Sequence, residues 1–238
     1  MFAPRSLLLI LLLALAAAPA PLPSVEQIVE RMRSADAARS EQLEAYTAIR
    51  RYELINHRFR KQATILARLT YRRPGEKRFE VISEDGPRLI RERVLERVIN
   101  AEEEASRGDN RGLARIDQVN YNLSVLGIET EDGRTFFVLA LEPKSKSPYL
   151  VKGRAWIDTS EYALARLEGV LAKRPSIWVG SPVVRQTYVK SGPFWLPESI
   201  LSTTDAPVFG KTDLVIESSG YEIQRAPESE ALAVRTEN

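Results

Sequence analysis

Apolar positions recur along this 238-residue chain with two different periods. From Ser24 toward Leu43 they fall at helical spacing, with Val25, Ile28, Val29 and Met32 on one face. Ser24 stands at the N-cap with Gln27 three residues on. This is the capping-box pair that satisfies two orphan amides of a first turn. After Ala45 the period drops to two. Ala45–Phe59 reads as an extended run. Gln62–Tyr71 alternates Ala63, Ile65, Ala67, Leu69 and Tyr71 against Gln62, Thr64, Arg68 and Thr70, and Lys77–Ser83 reads as a third strand. Pro74-Gly75 and Glu84–Pro87 are turn signals. Helical spacing returns over Arg88–Ser106, where Ile90, Val94, Leu95, Val98 and Ile99 form an apolar stripe and Gly108 marks the stop. Beyond it the pattern is strand after strand: Tyr121–Thr130, Arg134–Leu141, Gly153–Asp158, Ala163–Leu171, Val183–Lys190, Phe194–Thr204 and Lys211–Gln224. Glu131–Gly133, Thr159–Tyr162 and Ser191–Pro193 are hairpin signals between them. Short strands with tight turns predict an antiparallel meander, and with the helices an α+β fold that is mainly antiparallel β.

The chain ends differ from this middle. Met1–Arg5 carries one positive charge, and Leu7–Ala18 is an unbroken apolar run of twelve residues. That length suits the core of a signal peptide and is short of the roughly 20 residues a membrane span needs. Residues 1–20 are therefore expected to be a signal peptide, cut near Ala16 or Ala17, that places the mature chain in the periplasm. An uncleaved N-terminal anchor is the other reading. Residues 21–225 form one expected domain, and 226–238 a disordered tail.

Composition removes most chemistry. The absence of Cys excludes disulfides, thiolate nucleophiles and Cys-based zinc sites. A single His excludes any centre needing two imidazoles. No GxSxG, P-loop, GxGxxG or SxxK motif occurs. His57 lies among Arg58, Arg60 and Lys61, where a second positive charge is disfavoured, and it reads as a turn residue. Glu102, Glu103 and Glu104 are adjacent on a helix and so point in different directions. The chain reads as a non-enzyme with no cofactor and no metal. A formal net charge of +2 gives no reason to expect nucleic acid. The stretch Arg50–Arg78 is nonetheless locally basic. Arg50, Arg51, Arg58, Arg60 and Lys61 are candidates for a rim that attracts an anionic partner, or they are solvated faces of two strands. The later strands are apolar on both sides: Phe137, Leu139 and Leu141 on one face, Phe136 and Val138 on the other. Such a sheet is covered twice. It encloses either a filled core or an apolar cavity.

Three blocks carry a resemblance: Phe136–Lys144 (FFVLALEPK), Gly153–Asp158 (GRAWID) and Ala163–Gly169 (ALARLEG). They resemble, in order, the core hairpins of the outer-membrane lipoprotein-sorting family, LolA/LolB-like. Gly192–Pro197, Ser202–Asp205 and Phe209–Ile216 resemble its closing strands. The resemblance spans residues 24 to 224. It implies a strongly curved, half-open β-barrel with helices covering the concave face and an apolar cavity between them for acyl chains. The implied function is a periplasmic carrier of acylated lipoprotein or lipid bound for the outer membrane; a monomer is favoured, and inner- or outer-membrane proteins are candidate partners. The alternative is a periplasmic sensor of the envelope-stress type on the same fold. The apolar positions of the strands make Phe137, Leu139, Leu141, Trp156, Ile157, Leu167, Tyr188, Trp195, Leu214 and Ile216 the candidate lining of such a cavity, with Val94, Leu95 and Val98 from the plugging helix; each is otherwise ordinary core.

Overall fold

The computed structural model describes residues 22–108, 112–173, 182–207 and 210–227. The expected signal peptide, Trp178, Phe209 and nearly all of the expected tail lie outside the described residues. Helix α1 is Val25–Gln42. Its capping box forms as the sequence suggests: the Gln27 amide donates to Ser24 Oγ at 3.3 Å, and the Ser24 amide to Gln27 Oε1 at 3.0 Å. Ten strands follow: β1 (Leu43–Asn56), β2 (Lys61–Arg72), β3 (Glu76–Asp85), β4 (Tyr121–Glu131), β5 (Arg134–Pro143), β6 (Val151–Asp158), β7 (Leu164–Leu171), β8 (Val183–Ser191), β9 (Phe194–Ala206) and β10 (Gly210–Arg225). Strand β1 stops short of the expected Phe59 because the Asn56 side chain turns the chain there, its Oδ1 accepting from the Phe59 amide at 2.8 Å. Arg60 then adopts a left-handed φ of 51°.

All ten strands form one antiparallel sheet in the order β3-β2-β1-β10-β9-β8-β7-β6-β5-β4. Neighbours in the chain are neighbours in the sheet, except that β1 pairs with β10 and the edges are β3 and β4. The sheet is open and curved. Helix α2 belongs to the connection between those two edges. It runs as α-helix over Arg88–Ile90, as π-helix over Arg91–Leu95, and again as α-helix over Glu96–Ser106. The wider π turn shifts the helix phase. Leu95 and Ile99 are buried, whereas Val94, expected on the same stripe, is 38% exposed.

The two helices rest on different halves of the inner face. Ile28 and Met32 of α1 pack on Phe137, Leu139, Leu141, Ala155 and Ile157 of β5 and β6. Leu95 and Ile99 of α2 pack on Tyr52, Leu54, Ala63, Ile65 and Ile216 of β1, β2 and β10. Glycines face each other across β6 and β7. Gly153 lies opposite Gly169, and a Cβ on either would run into the facing backbone.

Candidate functional site

Strand register aligns one row of inward side chains across the sheet. Reading from β4, it runs Val125, Leu139, Ala155, Leu167, Gln186, Ile200, Ile216, Tyr52 and Ile65. Burial along this row is uneven. Leu139 and Ala155 under α1, and Tyr52 and Ile65 under α2, are wholly buried. Leu167, Gln186 and Ile200, between them, are half-buried. The two helices thus cover the ends of the row and leave its middle, on β7 to β9, open. Tyr188, Leu214 and Tyr221 are likewise half-buried nearby.

The expected lining residues do not all fall on this gap. Phe137, Leu139, Leu141 and Ile157 are packed beneath α1 with Leu167 at their margin. Leu95 of α2 packs on Ile216, with Val98 and Leu214 at the margin of their cluster. Trp156 needs correcting: Ala155 and Ile157 on either side of it point inward, so its ring is on the outer face. There it clusters with Phe136 and Val138. Arg166 lies over the ring at 4.0 Å from the centroid, Arg154 at 5.1 Å, and Nε1 donates to Glu129 at 2.7 Å. Such polar covers explain how a strand apolar on both sides stays out of water. Trp195 stacks under Arg134 at 5.0 Å and donates to Glu161 at 2.7 Å. Trp156, Trp195, Phe136 and Arg166 border an outer cavity of about 390 Å³. A larger one, about 620 Å³, lies over Arg68, Thr70, Arg72 and Arg78 on β2 and β3. Leu69, between Arg68 and Thr70, is in the core, so this cavity is also on the outer face.

The basic rim is corrected in part. Arg58, Arg60 and Lys61 are exposed at the β1–β2 turn. Arg51 is held by Glu53, with N–O distances of 2.7 and 2.6 Å. Other basic residues of the stretch meet acids on neighbouring strands, as in Arg68–Glu80 and Arg73–Glu44. His57 at the rim is bonded through Nε2 to Asp213 Oδ2 at 2.7 Å. Burial opposes ionisation of Asp213, but the Thr203 hydroxyl and His57 hold its carboxyl below the usual range.

Arg50 is the largest departure. It is only 2% exposed and points inward, two residues from Tyr52 on the same face of β1. Its Nη2 meets both carboxylate oxygens of Glu102 on α2, at 3.1 and 3.0 Å. Its Nε and Nη1 are buried without a partner. Each buried donor left unpaired costs about 1–3 kcal/mol, which makes this an expensive arrangement for a merely structural arginine. Lys77, opposite Tyr71 on β3, faces the same interior; burial holds its pKa below the usual value, against the attraction of Glu102. Tyrosines complete the surroundings. Burial pushes Tyr46, Tyr52 and Tyr221 up and Tyr188 to about 12, so all four remain protonated at neutral pH. Nothing in the sequence marked Arg50 as different from Arg51; the alternation of β1 was the one available signal.

No family model matches the sequence, and no curated protein does. Solved structures do. An outer membrane lipoprotein-sorting protein domain from Vibrio parahaemolyticus superposes with a TM-score of 0.50 at 16% identity, over 84% of this chain and 93% of that one. The likeness shows a shared fold, an open curved antiparallel sheet with helices on its inner face. Looser likenesses are a LolA superfamily protein from Nitrosomonas europaea (10% identity, 87% and 97% coverage, TM-score 0.44) and a DUF1329 family protein from Desulfovibrio piger (14%, 85% and 94%, 0.43). Within this fold the open middle of the inner row is the candidate site. Among the described residues no cluster of three or more His, Cys, Asp or Glu could hold a metal ion, and no helix is long and apolar enough to cross a membrane.

Proposed function

We propose that this chain is a periplasmic, non-enzymatic carrier that shelters acyl chains of a lipid or lipoprotein in the gap between α1 and α2. The observation that carries this reading is the loss of burial at Leu167, Gln186 and Ile200, between the buried Leu139–Ala155 and Ile216–Tyr52–Ile65 stretches of the inner row. Leu167, Ile200 and Leu214 are apolar, inward and half-buried, which is costly in water and useful to a hydrocarbon chain. Each CH₂ buried there contributes about 0.8 kcal/mol. The apolar run at Leu7–Ala18 and the likeness to a lipoprotein-sorting domain support export and this class of cargo.

Uptake of a fluorescent fatty acid by the purified chain, prepared without detergent, tests this. Wild type is expected to bind stoichiometrically. Ile200→Asp and Leu214→Asp are expected to weaken uptake at least about tenfold through desolvation of the new carboxylate, while shifting thermal unfolding little. A wild-type chain that takes up no acyl probe would sink the carrier reading.

A further inference from the structure

The acyl gap accounts for the half-buried apolar side chains but not for the charge set beside it. Arg50 lies opposite Ser218 of β10, one inward position from the Tyr52–Ile216 pair of the inner row. Its guanidinium carbon stands 5.7 Å from the centroid of the Tyr52 ring, so it borders the row as well as α2. Glu102 engages one of its three nitrogens, Nη2, and leaves Nε and Nη1 buried with no acceptor. Lys77, opposite the inward Tyr71 and half-buried, brings a second basic side chain to the same face.

The nearby acids do not balance the pair. Glu102 is shared between Arg50 and the hydroxyl of Tyr52. Glu103 accepts the Phe79 amide and meets Arg107. Asp36 is paired with Arg39. Two basic side chains thus share one carboxylate, Glu102, with unused donors and protonated phenols around them. A buried cation in that state is completed by an anion, and charge-assisted bonds are the strongest such a donor can make.

We propose that Arg50, assisted by Lys77, receives the anionic head of the bound lipid, a carboxylate or phosphate. The cargo is then an anionic amphiphile, with its chain in the gap and its head against β1 and α2. This inference rests on the acyl-carrier reading and adds a headgroup requirement to it.

Laurate and dodecanol, which share a chain and differ in charge, separate the two claims. Binding of each is measured at pH 8 by native mass spectrometry on wild type, Arg50→Met and Arg50→Lys, with circular dichroism to confirm folding. Wild type is expected to prefer laurate by about tenfold or more, the worth of a charge-assisted hydrogen bond. In Arg50→Met the preference falls to within about twofold, and Arg50→Lys lies between, since one ammonium cannot replace the guanidinium donors. Equal binding of laurate and dodecanol by wild type would overturn the headgroup site and leave the carrier intact; this arm stands even if Arg50→Met does not fold. Persistence of the preference in Arg50→Met would also overturn it. Failure of both ligands to bind wild type would instead count against the carrier reading itself. Inorganic phosphate serves as the chain-free probe: raising the melting temperature of wild type but not of Arg50→Lys would assign Arg50 to a small free anion and overturn the lipid-head assignment.

Discussion

The two halves of the sheet solve the same packing problem with different chemistry. Under α1, strands β5 and β6 are sealed by Ile28 and Met32 on Leu139, Leu141, Ala155 and Ile157, and the opposite face carries Phe136, Val138 and Trp156. That half is apolar on both sides. Under α2, strands β1 to β3 and β10 have a comparable apolar cluster around Leu95 and Ile99, yet they also hold Arg50, Glu102, Lys77 and Tyr52 in the interior. Stability and chemistry are divided between the two halves. The first half gains from every inward contact, while the second keeps groups that a purely structural core would replace with leucine.

The sharpest way to break this comparison is to empty the sealed half. Leu139 is wholly buried at the centre of the α1 cluster. Leu139→Ala is expected to cost about 3 kcal/mol in urea unfolding, from lost transfer energy and the residual cavity. A cost below about 1 kcal/mol would mean that this half is loosely packed. Next comes the charged pair. Glu102 is 20% exposed and Arg50 is 2% exposed. Glu102→Ala should cost about 2 kcal/mol by stranding the guanidinium, and Arg50→Met combined with Glu102→Leu should recover most of it. Additive losses in that cycle would show the pair to be uncoupled.

The smallest effect sharpens the picture most. Lys77→Met is expected to be neutral or stabilising by up to about 1 kcal/mol, because it removes a poorly solvated cation. The sign with pH follows from its lowered pKa. Between the folded pKa and the ordinary lysine value the unfolded chain holds one more proton, so the wild type gains stability as pH rises through that window. The variant should lose that part of the pH slope. An unchanged slope, measured by unfolding at successive alkaline pH values, would show that Lys77 is solvated.

Much of the scaffold was legible in the sequence. The capping pair at Ser24 and Gln27, the alternation of β2 and the turns at Pro74-Gly75 and Glu131–Gly133 all carry local signals, and the elements form where those signals stand. The facing glycines 153 and 169 belong to two of the blocks that resembled the lipoprotein-sorting family, and their cause is the close approach of two backbones. Local chemistry is enough here because caps, turns and periodicity act over a few residues.

The site was less legible. Alternation says that Arg50 and Arg51, or Ile157 and Trp156, lie on opposite faces, but not which face the helices cover. That choice depends on the pairing of β1 with β10, far apart in the chain, and on where α2 settles after its π turn. Tertiary structure therefore put Arg50 inside and Trp156 outside, and turned Val94 toward solvent. The chain by itself determined its helices, strands and turns, because these follow from neighbours in sequence. Only the assembled sheet decided which side chains share an interior, because burial is a property of contacts between distant segments.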